Sequence, residues 1–221
     1  MKTFLPALLV LFSLPFSVFA QSGSLYIDSL LIELEKETND TIRIDLASEI
    51  GWTYRNIDLE KAEDYIRKSN ELAKEINDIW AQNRGLYYLA VIYRKKGDLF
   101  GAINFGKQSL ALAESEEDWA TVGVNCNSLG NSYSNIGVYD TAMIFYFKAL
   151  EAYEKGDFQV KKASTYNNIG DCFDFQNKDD LAEEYLLKAL KIYREHKERK
   201  LAAMTLRNLG SLTKDEDKAK Q

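Results

Sequence analysis

One short pattern of apolar, small and aromatic positions returns along the chain every 39 or 40 residues. It places a large apolar residue at i, a small residue at i+1 and an aromatic residue at i+4. Full copies start at Ile50, Leu89, Leu129 and Ile169, and a fifth start falls at Leu209. This spacing is typical of one face of a helix. Self-similarity at such a period predicts a stacked array, in which one helix pair cannot bury its apolar face without neighbours.

Each copy also predicts a second helix that returns beside the first. In the third copy Ala142 follows the aromatic Tyr133 by nine residues, and Tyr146 and Ala149 continue at helical spacing. Gly137 lies between the two helices and permits the turn. We expect the small residues to let the two backbones approach, while the aromatic ring fills the space beside them.

These residues resemble the tetratricopeptide repeat. The family's series of small, aromatic, small, aromatic and small residues is matched by Gly130, Tyr133, Ala142, Tyr146 and Ala149. The resemblance implies an all-α fold, a right-handed α-solenoid of helix pairs. Because the common family period is 34 residues, each helix pair here is predicted to be longer by about six residues.

Two departures from the family pattern affect the prediction. The proline that often closes a family repeat is missing, since Pro6 and Pro15 are the only prolines in the chain. In the second copy Gly106 stands where an aromatic residue is expected. We therefore predict a soft spot in the packing around Gly106.

The pattern divides the chain into four segments. A signal peptide is expected at 1–20, a leading helix at 21–40, the repeat array at 41–213 and a charged tail at 214–221. Within the array, repeats are expected at 41–78, 79–117, 118–157 and 158–198, with a partial fifth at 199–213.

The amino terminus has the features of an export signal. Lys2 precedes a mostly apolar stretch from Phe4 to Phe16, and small residues precede a cleavage position after Ala20. The stretch is shorter than the roughly 20 residues that a membrane-spanning helix needs. We expect a periplasmic or secreted protein, with an uncleaved amino terminus anchoring the chain in a membrane as the alternative.

Charge and composition argue against several functions. Removal of residues 1–20 takes away one lysine and no acid, which leaves 27 basic against 34 acidic residues and a net charge of −7. An acidic helical chain is not suited to nucleic acid by bulk electrostatics. His196 is the only histidine, in a charged helix end, so neither a metal site nor a catalytic triad is expected. We predict no enzyme activity and no cofactor.

The two cysteines, Cys126 and Cys172, are expected to be small buried hydrophobes. Relative to the glycine of its own repeat, Cys126 lies four residues before and Cys172 two residues after. Parallel first helices would therefore offset the two residues by about 9 Å, which exceeds the reach of a disulfide.

Candidate binding residues follow from the resemblance, because the first helices of such arrays line a concave groove. Residues at groove positions are basic or aromatic in the first two repeats and rich in amides in the next two. The predicted groove residues are Trp52, Arg55, Arg84, Tyr87, Arg94, Lys95, Asn127, Asn131, Asn135, Asn167, Asp171 and Phe175. A side-chain amide offers a donor and an acceptor together, which matches an extended peptide backbone. Asn127 and Asn167 are equivalent residues of adjacent repeats and could form a ladder; the alternative is that these asparagines are only solvated.

Two functions remain open at this point. The first is a non-catalytic scaffold that binds a peptide or protein partner in the groove. The second is the sensory input region of a signalling regulator, with a histidine kinase or transcriptional output in a partner or in a missing carboxyl-terminal part. Leu201, Leu206, Leu209 and Leu212 recur at helical spacing and would cover the last helix pair. We expect part of this helix to stay open, for a symmetric homodimer or for a continuation of the chain.

Overall fold

The computed structural model describes the backbone of residues 14–219 and the side chains of residues 25–212. This part of the chain forms ten helices and no strand, which confirms the predicted all-α fold. The helices are α1 (Leu14–Lys36), α2 (Asp40–Tyr54), α3 (Leu59–Glu75), α4 (Ile79–Lys96), α5 (Leu99–Ser115), α6 (Trp119–Asn135), α7 (Tyr139–Lys155), α8 (Gln159–Asp174), α9 (Asp179–Glu195) and α10 (Arg199–Ala219).

The chain folds as two compact units, Met1–Asn77 and Asp78–Gln221. Residues 1–13 of the predicted signal peptide and residues 220–221 of the predicted tail lie outside the described residues. The first unit contains α1 to α3 and the second contains α4 to α10.

In the first unit, α1 and α2 share an apolar core. Leu30, Leu46 and Ile50 are buried together, and the rings of Tyr54 and Tyr65 stack with centroids 6.0 Å apart.

In the second unit, neighbouring pairs share their cores. One cluster joins α5, α6 and α7 through residues that include Leu110, Cys126 and Tyr153. A second joins α7 and α8 through Tyr146 and Ile169. The core is thus continuous from pair to pair, as a stacked array requires.

Helix α10 covers the last pair with one face. Leu212 is buried against Ala182 and Leu186, and Leu209 packs beside it. Leu206, by contrast, is 46% exposed. Part of the apolar face of α10 is therefore open within the described residues.

Glycine in the first helix makes room for a large side chain of the second. A β-carbon on Gly130 would lie 2.5 Å from the ring of Tyr146, and one on Gly170 would lie 2.7 Å from Leu186. The same hypothetical carbon on Gly170 would lie 3.2 Å from the carbonyl oxygen of Ala182, so the backbones also approach closely. The expected contact of small residues is present, and the bulky partner adds a second reason for glycine.

The second repeat reverses this arrangement. Here Ala90 stands in the first helix and Gly106 in the second, and a β-carbon on Gly106 would lie 2.9 Å from Leu129 Cδ2. Leu129 of the next repeat thus fills the space that an aromatic residue would have taken. The predicted soft spot at Gly106 is wrong for this reason.

From α3 to α10, successive helices are separated by a left-handed residue at every twentieth position. Its φ lies between 53° and 83° at Asn77, Gly97, Glu117, Gly137, Asp157, Asn177 and Lys197. Such a residue ends a helix by turning the chain out of the helical path. An aspartate caps the amino terminus of α3, α4, α5 and α6. The side chains of Asp58, Asp78, Asp98 and Asp118 accept hydrogen bonds from backbone N–H groups of the first turn.

Candidate functional site

Two cavities open between the first helices of the second unit, α4, α6 and α8. We call them the polar cavity and the aromatic cavity. The polar cavity has a volume of about 250 Å³ and is lined by Arg94, Asn131, Ser134, Asn135, Tyr146, Asn168, Asp171 and Phe175. The aromatic cavity has a volume of about 360 Å³ and is lined by Trp80, Asn83, Arg84, Tyr87, Tyr88, Asp118, Ala120, Thr121, Val124 and Lys161.

The polar cavity brings together five of the predicted groove residues. Arg94 comes from the end of α4, Asn131 and Asn135 come from the end of α6, and Asp171 and Phe175 come from the end of α8 and the residue after it. These residues lie in, or directly after, the last two turns of three successive first helices. A ligand in this cavity would therefore touch three repeats.

The charges of the polar cavity lie on different helices. Arg94 supplies a cation from α4, and its Nε atom is buried without a hydrogen-bond partner among the described residues. Asp171 supplies a carboxyl group from α8. Burial raises the pKa of Asp171 to about 6, while the hydrogen bond from Asn208 acts in the opposite direction. The polar cavity thus contains a guanidinium on one helix and, on another, a carboxyl group that keeps its proton to a higher pH than an exposed carboxyl group does.

Tyr146 of α7 lines the polar cavity beside Asn131. Its hydroxyl donates a hydrogen bond to Asn131 Oδ1 at 2.8 Å. Burial raises the pKa of Tyr146, so the hydroxyl stays neutral. Because the oxygen of Asn131 is occupied, the amide NH₂ is the part of this side chain that a ligand would meet.

The other two predicted asparagines tie helices together. Asn168 Nδ2 donates to Asn127 Oδ1 at 3.0 Å, which links α8 to α6. Thr205 Oγ1 donates to Asn167 Oδ1 at 3.0 Å, which links α10 to α8, and Asn167 Nδ2 donates to Asp171. The ladder expected between Asn127 and Asn167 is replaced by bonds to other residues. Neither side chain lines the polar cavity.

The aromatic cavity contains two predicted residues, Arg84 and Tyr87, and several that sequence reasoning missed. The guanidinium carbon of Arg84 lies 4.5 Å from the ring centroid of Trp80, which is a cation–π distance. Trp80 itself is 62% exposed. Trp80 lies four residues before Arg84, one helical turn earlier, and that spacing could have indicated it.

Comparison with known proteins agrees with the geometry. Residues 124–195 match the family model of the tetratricopeptide repeat. These residues are tetratricopeptide repeats. The prediction made from the recurring residues is therefore confirmed, and with it the solenoid of tetratricopeptide-like helix pairs. No curated protein sequence matches the chain.

Several solved structures share the tetratricopeptide fold at low sequence identity. A STAND signal-transduction ATPase with a tetratricopeptide repeat sensor, from Pyrococcus horikoshii, is 19% identical with a TM-score of 0.74. The alignment covers 90% of this chain and 33% of that one. The apo form of RapI is 16% identical with a TM-score of 0.66, over 87% of this chain and 54% of RapI. A Rap protein complexed with Competence and Sporulation Factor is 18% identical with a TM-score of 0.55, over 78% and 52%. This chain thus spans a third to about half of these relatives.

Besides Asn127 and Asn167, three more of the predicted residues are not among those that line the polar or the aromatic cavity. Lys95 is exposed on α4 and is not among the residues that line either one. Trp52 and Arg55 belong to the first unit, where the guanidinium of Arg55 lies 3.8 Å from the Trp52 ring centroid. Their contact is local to the end of α2.

The structure also places the cysteines and shows how the possible metal ligands are arranged. Cys126 and Cys172 are free thiols, both buried, in separate clusters of the core. In the part of the chain that the structure describes, no group of histidine, cysteine and acidic side chains is arranged to hold a metal ion. Across the same residues no helix has both the length and the apolarity to cross a membrane.

Proposed function

We propose that this chain is a non-catalytic scaffold of the cell envelope that binds an extended peptide, or an extended segment of a partner protein, across α4, α6 and α8. The observation that carries the proposal is the polar cavity, to which three successive repeats each contribute predicted groove residues. A ligand that contacts equivalent positions of several repeats is itself extended.

The chemistry of the cavity suits a peptide. The NH₂ group of Asn131 can donate to a backbone C=O group, and the amide of Asn135 can pair with both backbone N–H and C=O groups, irrespective of sequence. Arg94 lines the cavity, and its guanidinium can donate hydrogen bonds to an acidic side chain or a backbone carbonyl of a peptide. The exposed ring of Phe175 adds an apolar contact at the far side of the cavity.

The similar structures are consistent with this proposal. One Rap protein of similar fold is complexed with Competence and Sporulation Factor, so a chain of this fold can bind a ligand. The export features at the amino terminus, Lys2, the apolar stretch and the cleavage position after Ala20, support an envelope location.

Binding can be tested on an array of unstructured peptides probed with the purified chain. We expect Arg94→Gln to weaken binding of acidic peptides and to reduce its dependence on salt, because a charge interaction is lost. Asn135→Ala should weaken binding of most peptides. Lys191→Gln and Asn104→Ala, on exposed positions of α9 and α5, are the matched controls.

The outcome that contradicts the proposal is equally specific. If the wild-type chain and the two cavity variants select the same peptides with the same affinities, the polar cavity does not bind them. A pull-down from an envelope extract, made with the same four variants, tests whether a whole protein partner follows the same pattern.

A sensory input region is the second candidate. The observation that favours it is the likeness to a protein whose tetratricopeptide repeats are described as a sensor and of which this chain covers 33%. Reading the DNA downstream of codon 221 tests this candidate, because an output domain encoded in frame or in the adjacent gene would support it.

A further inference from the structure

We propose that the aromatic cavity binds a small planar aromatic carboxylate as a free molecule. This cavity lies near the amino-terminal ends of α4 and α6, whereas the polar cavity lies near their carboxyl-terminal ends. Arg84 and Arg94, one in each cavity, are ten residues apart on α4, or about 15 Å along the helix axis. The inference is independent of the peptide proposal.

The walls of the cavity fit an aromatic ring. Trp80, Tyr87 and Tyr88 provide aromatic surface, and Val124 and Ala120 of α6 provide aliphatic surface. Trp80 is 62% exposed, so a ligand stacked against it would remove a large apolar surface from water. A volume of about 360 Å³ lies at the small end of the range for ligand cavities, about 300–1,000 Å³. The aromatic cavity therefore has room for a single ring system.

The charges of the cavity favour an anion. Arg84 and Lys161 are its two cations. Its one carboxylate, Asp118, is engaged in capping α6, because it accepts hydrogen bonds from the backbone N–H and the hydroxyl of Thr121. A planar carboxylate matches the fork of a guanidinium better than a point charge would. The cationic group and the aromatic wall are adjacent, since Arg84 lies over Trp80.

Buried hydrogen bonds orient the side-chain amide of Asn83, which is a further donor at the cavity. Asn125 Nδ2 donates to Ser109 Oγ at 2.8 Å, and Ser109 Oγ donates to Asn83 Oδ1. Asn83 lines the cavity and is only 7% exposed. Because its oxygen accepts from Ser109, its NH₂ group is the end of the amide available to a ligand. Asn83 would then hold a second oxygen of the carboxylate beside Arg84.

The test uses 2-naphthoate and its neutral amide, 2-naphthamide, as probes in isothermal titration calorimetry with the full chain. We expect naphthoate to bind and naphthamide to bind at least about tenfold more weakly, because a charge-assisted hydrogen bond is lost. Cyclohexanecarboxylate, which has the charge but not the flat ring, should also bind more weakly. Equal affinity for naphthoate and naphthamide would overturn the proposal.

Variants locate the site. Trp80→Ala, Arg84→Gln and Lys161→Gln should each weaken naphthoate binding, whereas Lys191→Gln on α9 should not. Trp80 and Lys161 are exposed, so their replacement should leave the fold intact, as circular dichroism can verify. Unchanged affinity in all three cavity variants would overturn the proposal. So would displacement of naphthoate by a peptide carrying phenylalanine between glutamates at a far lower concentration, since the occupant would then be a peptide. Peptide binding and naphthoate binding are measured separately, so a negative result with one ligand overturns only the proposal for that ligand.

Discussion

The ring of Tyr146 occupies the space in which a β-carbon on Gly130 would lie, with Cδ1 and Cε1 both 2.5 Å from that position. Gly210, the equivalent residue of the fifth copy, has no atom within 4 Å of its own hypothetical β-carbon. A side chain at this position of the repeat thus meets the ring of Tyr146 in the third copy and meets no neighbouring atom in the last helix.

Replacement of the two glycines by alanine should have opposite effects. Gly130→Ala should lower the free energy of unfolding by about 1–3 kcal/mol, because the ring of Tyr146 must move. Gly210→Ala should raise it by up to about 1 kcal/mol through helix propensity. Urea unfolding followed by circular dichroism measures both effects. Equal effects at the two positions would contradict this packing.

The asparagines that tie helices should be distinguishable from those that line the polar cavity. Asn167→Ala removes one of the two acceptors of the buried Thr205 hydroxyl, the other being the carbonyl oxygen of Leu201, and it also removes the hydrogen bond to Asp171. It should destabilise the chain by about 0.5–1.5 kcal/mol for each hydrogen bond lost. Asn135→Ala should leave stability unchanged, because Asn135 is exposed. Hydrogen exchange of α10 is the sharper measurement, since loss of the link should loosen that helix first. Unaltered protection of α10 would contradict the role of Asn167.

Asp171 should make stability depend on pH. Burial raises its pKa from an ordinary value of 3.8 to about 6 in the folded chain. Between these values the folded chain keeps a proton that the unfolded chain has released, so the free energy of unfolding falls as pH rises from about 4 to about 6.

Comparison with Asp171→Asn isolates this effect, because the amide cannot ionise. The stability of the variant minus that of the wild type should increase from pH 4 to pH 7. Unfolding midpoints in urea at several pH values measure it. A difference that stays constant over this range would show that Asp171 ionises as an exposed carboxyl group does.

The effect of a substitution at a left-handed turn position on the free energy of unfolding should depend on the residue already there. At Gly137 φ is 77°, and no atom lies within 4 Å of a hypothetical β-carbon, so Gly137→Ala tests backbone strain alone. It should lower the free energy of unfolding by about 1–2 kcal/mol. Glu117, at a φ of 53°, already carries a side chain there, so Glu117→Gly should not destabilise in the same way. Thermal unfolding of both variants provides the measurement, and a neutral Gly137→Ala would contradict the strain.

The thiols should be inert in the folded chain. Burial raises the pKa of the Cys126 thiol to about 12 and also raises that of Cys172. Since the thiolate is the reactive form, Ellman's reagent should label neither cysteine at neutral pH and should label both after denaturation. Rapid labelling of the native chain would show that one of the two helices opens easily.

The architecture could be predicted because its signal is repeated. A residue pattern that returns every 39 or 40 positions specifies helices, turns and the positions of Gly130 and Gly137 at once. The packing at Gly106 could not be predicted in the same way. Its bulky neighbour, Leu129, belongs to the next repeat, and the pattern within one repeat does not show that contact.

The candidate site could likewise be predicted from the sequence only in part. Helical spacing placed Asn131 and Asp171 at equivalent positions of their repeats and Arg94 about one turn further along its own helix, and the structure joins the three in one cavity. Spacing cannot show which side-chain amides bond to each other. A shift of one residue, from Asn167 to Asn168, decides which amide meets Asn127. Trp80 was missed because it lies one turn before the residues at which the pattern was read.

The left-handed residues at every twentieth position, from Asn77 to Lys197, constrain how this chain can change length in evolution. One residue inserted into a helix would rotate all later residues of that helix by about 100° and shift its end away from the left-handed position. Duplication or loss of a whole 40-residue block would leave every reversal in register. The number of repeats, rather than the length of any helix, is therefore the variable through which such an array can lengthen its binding surface.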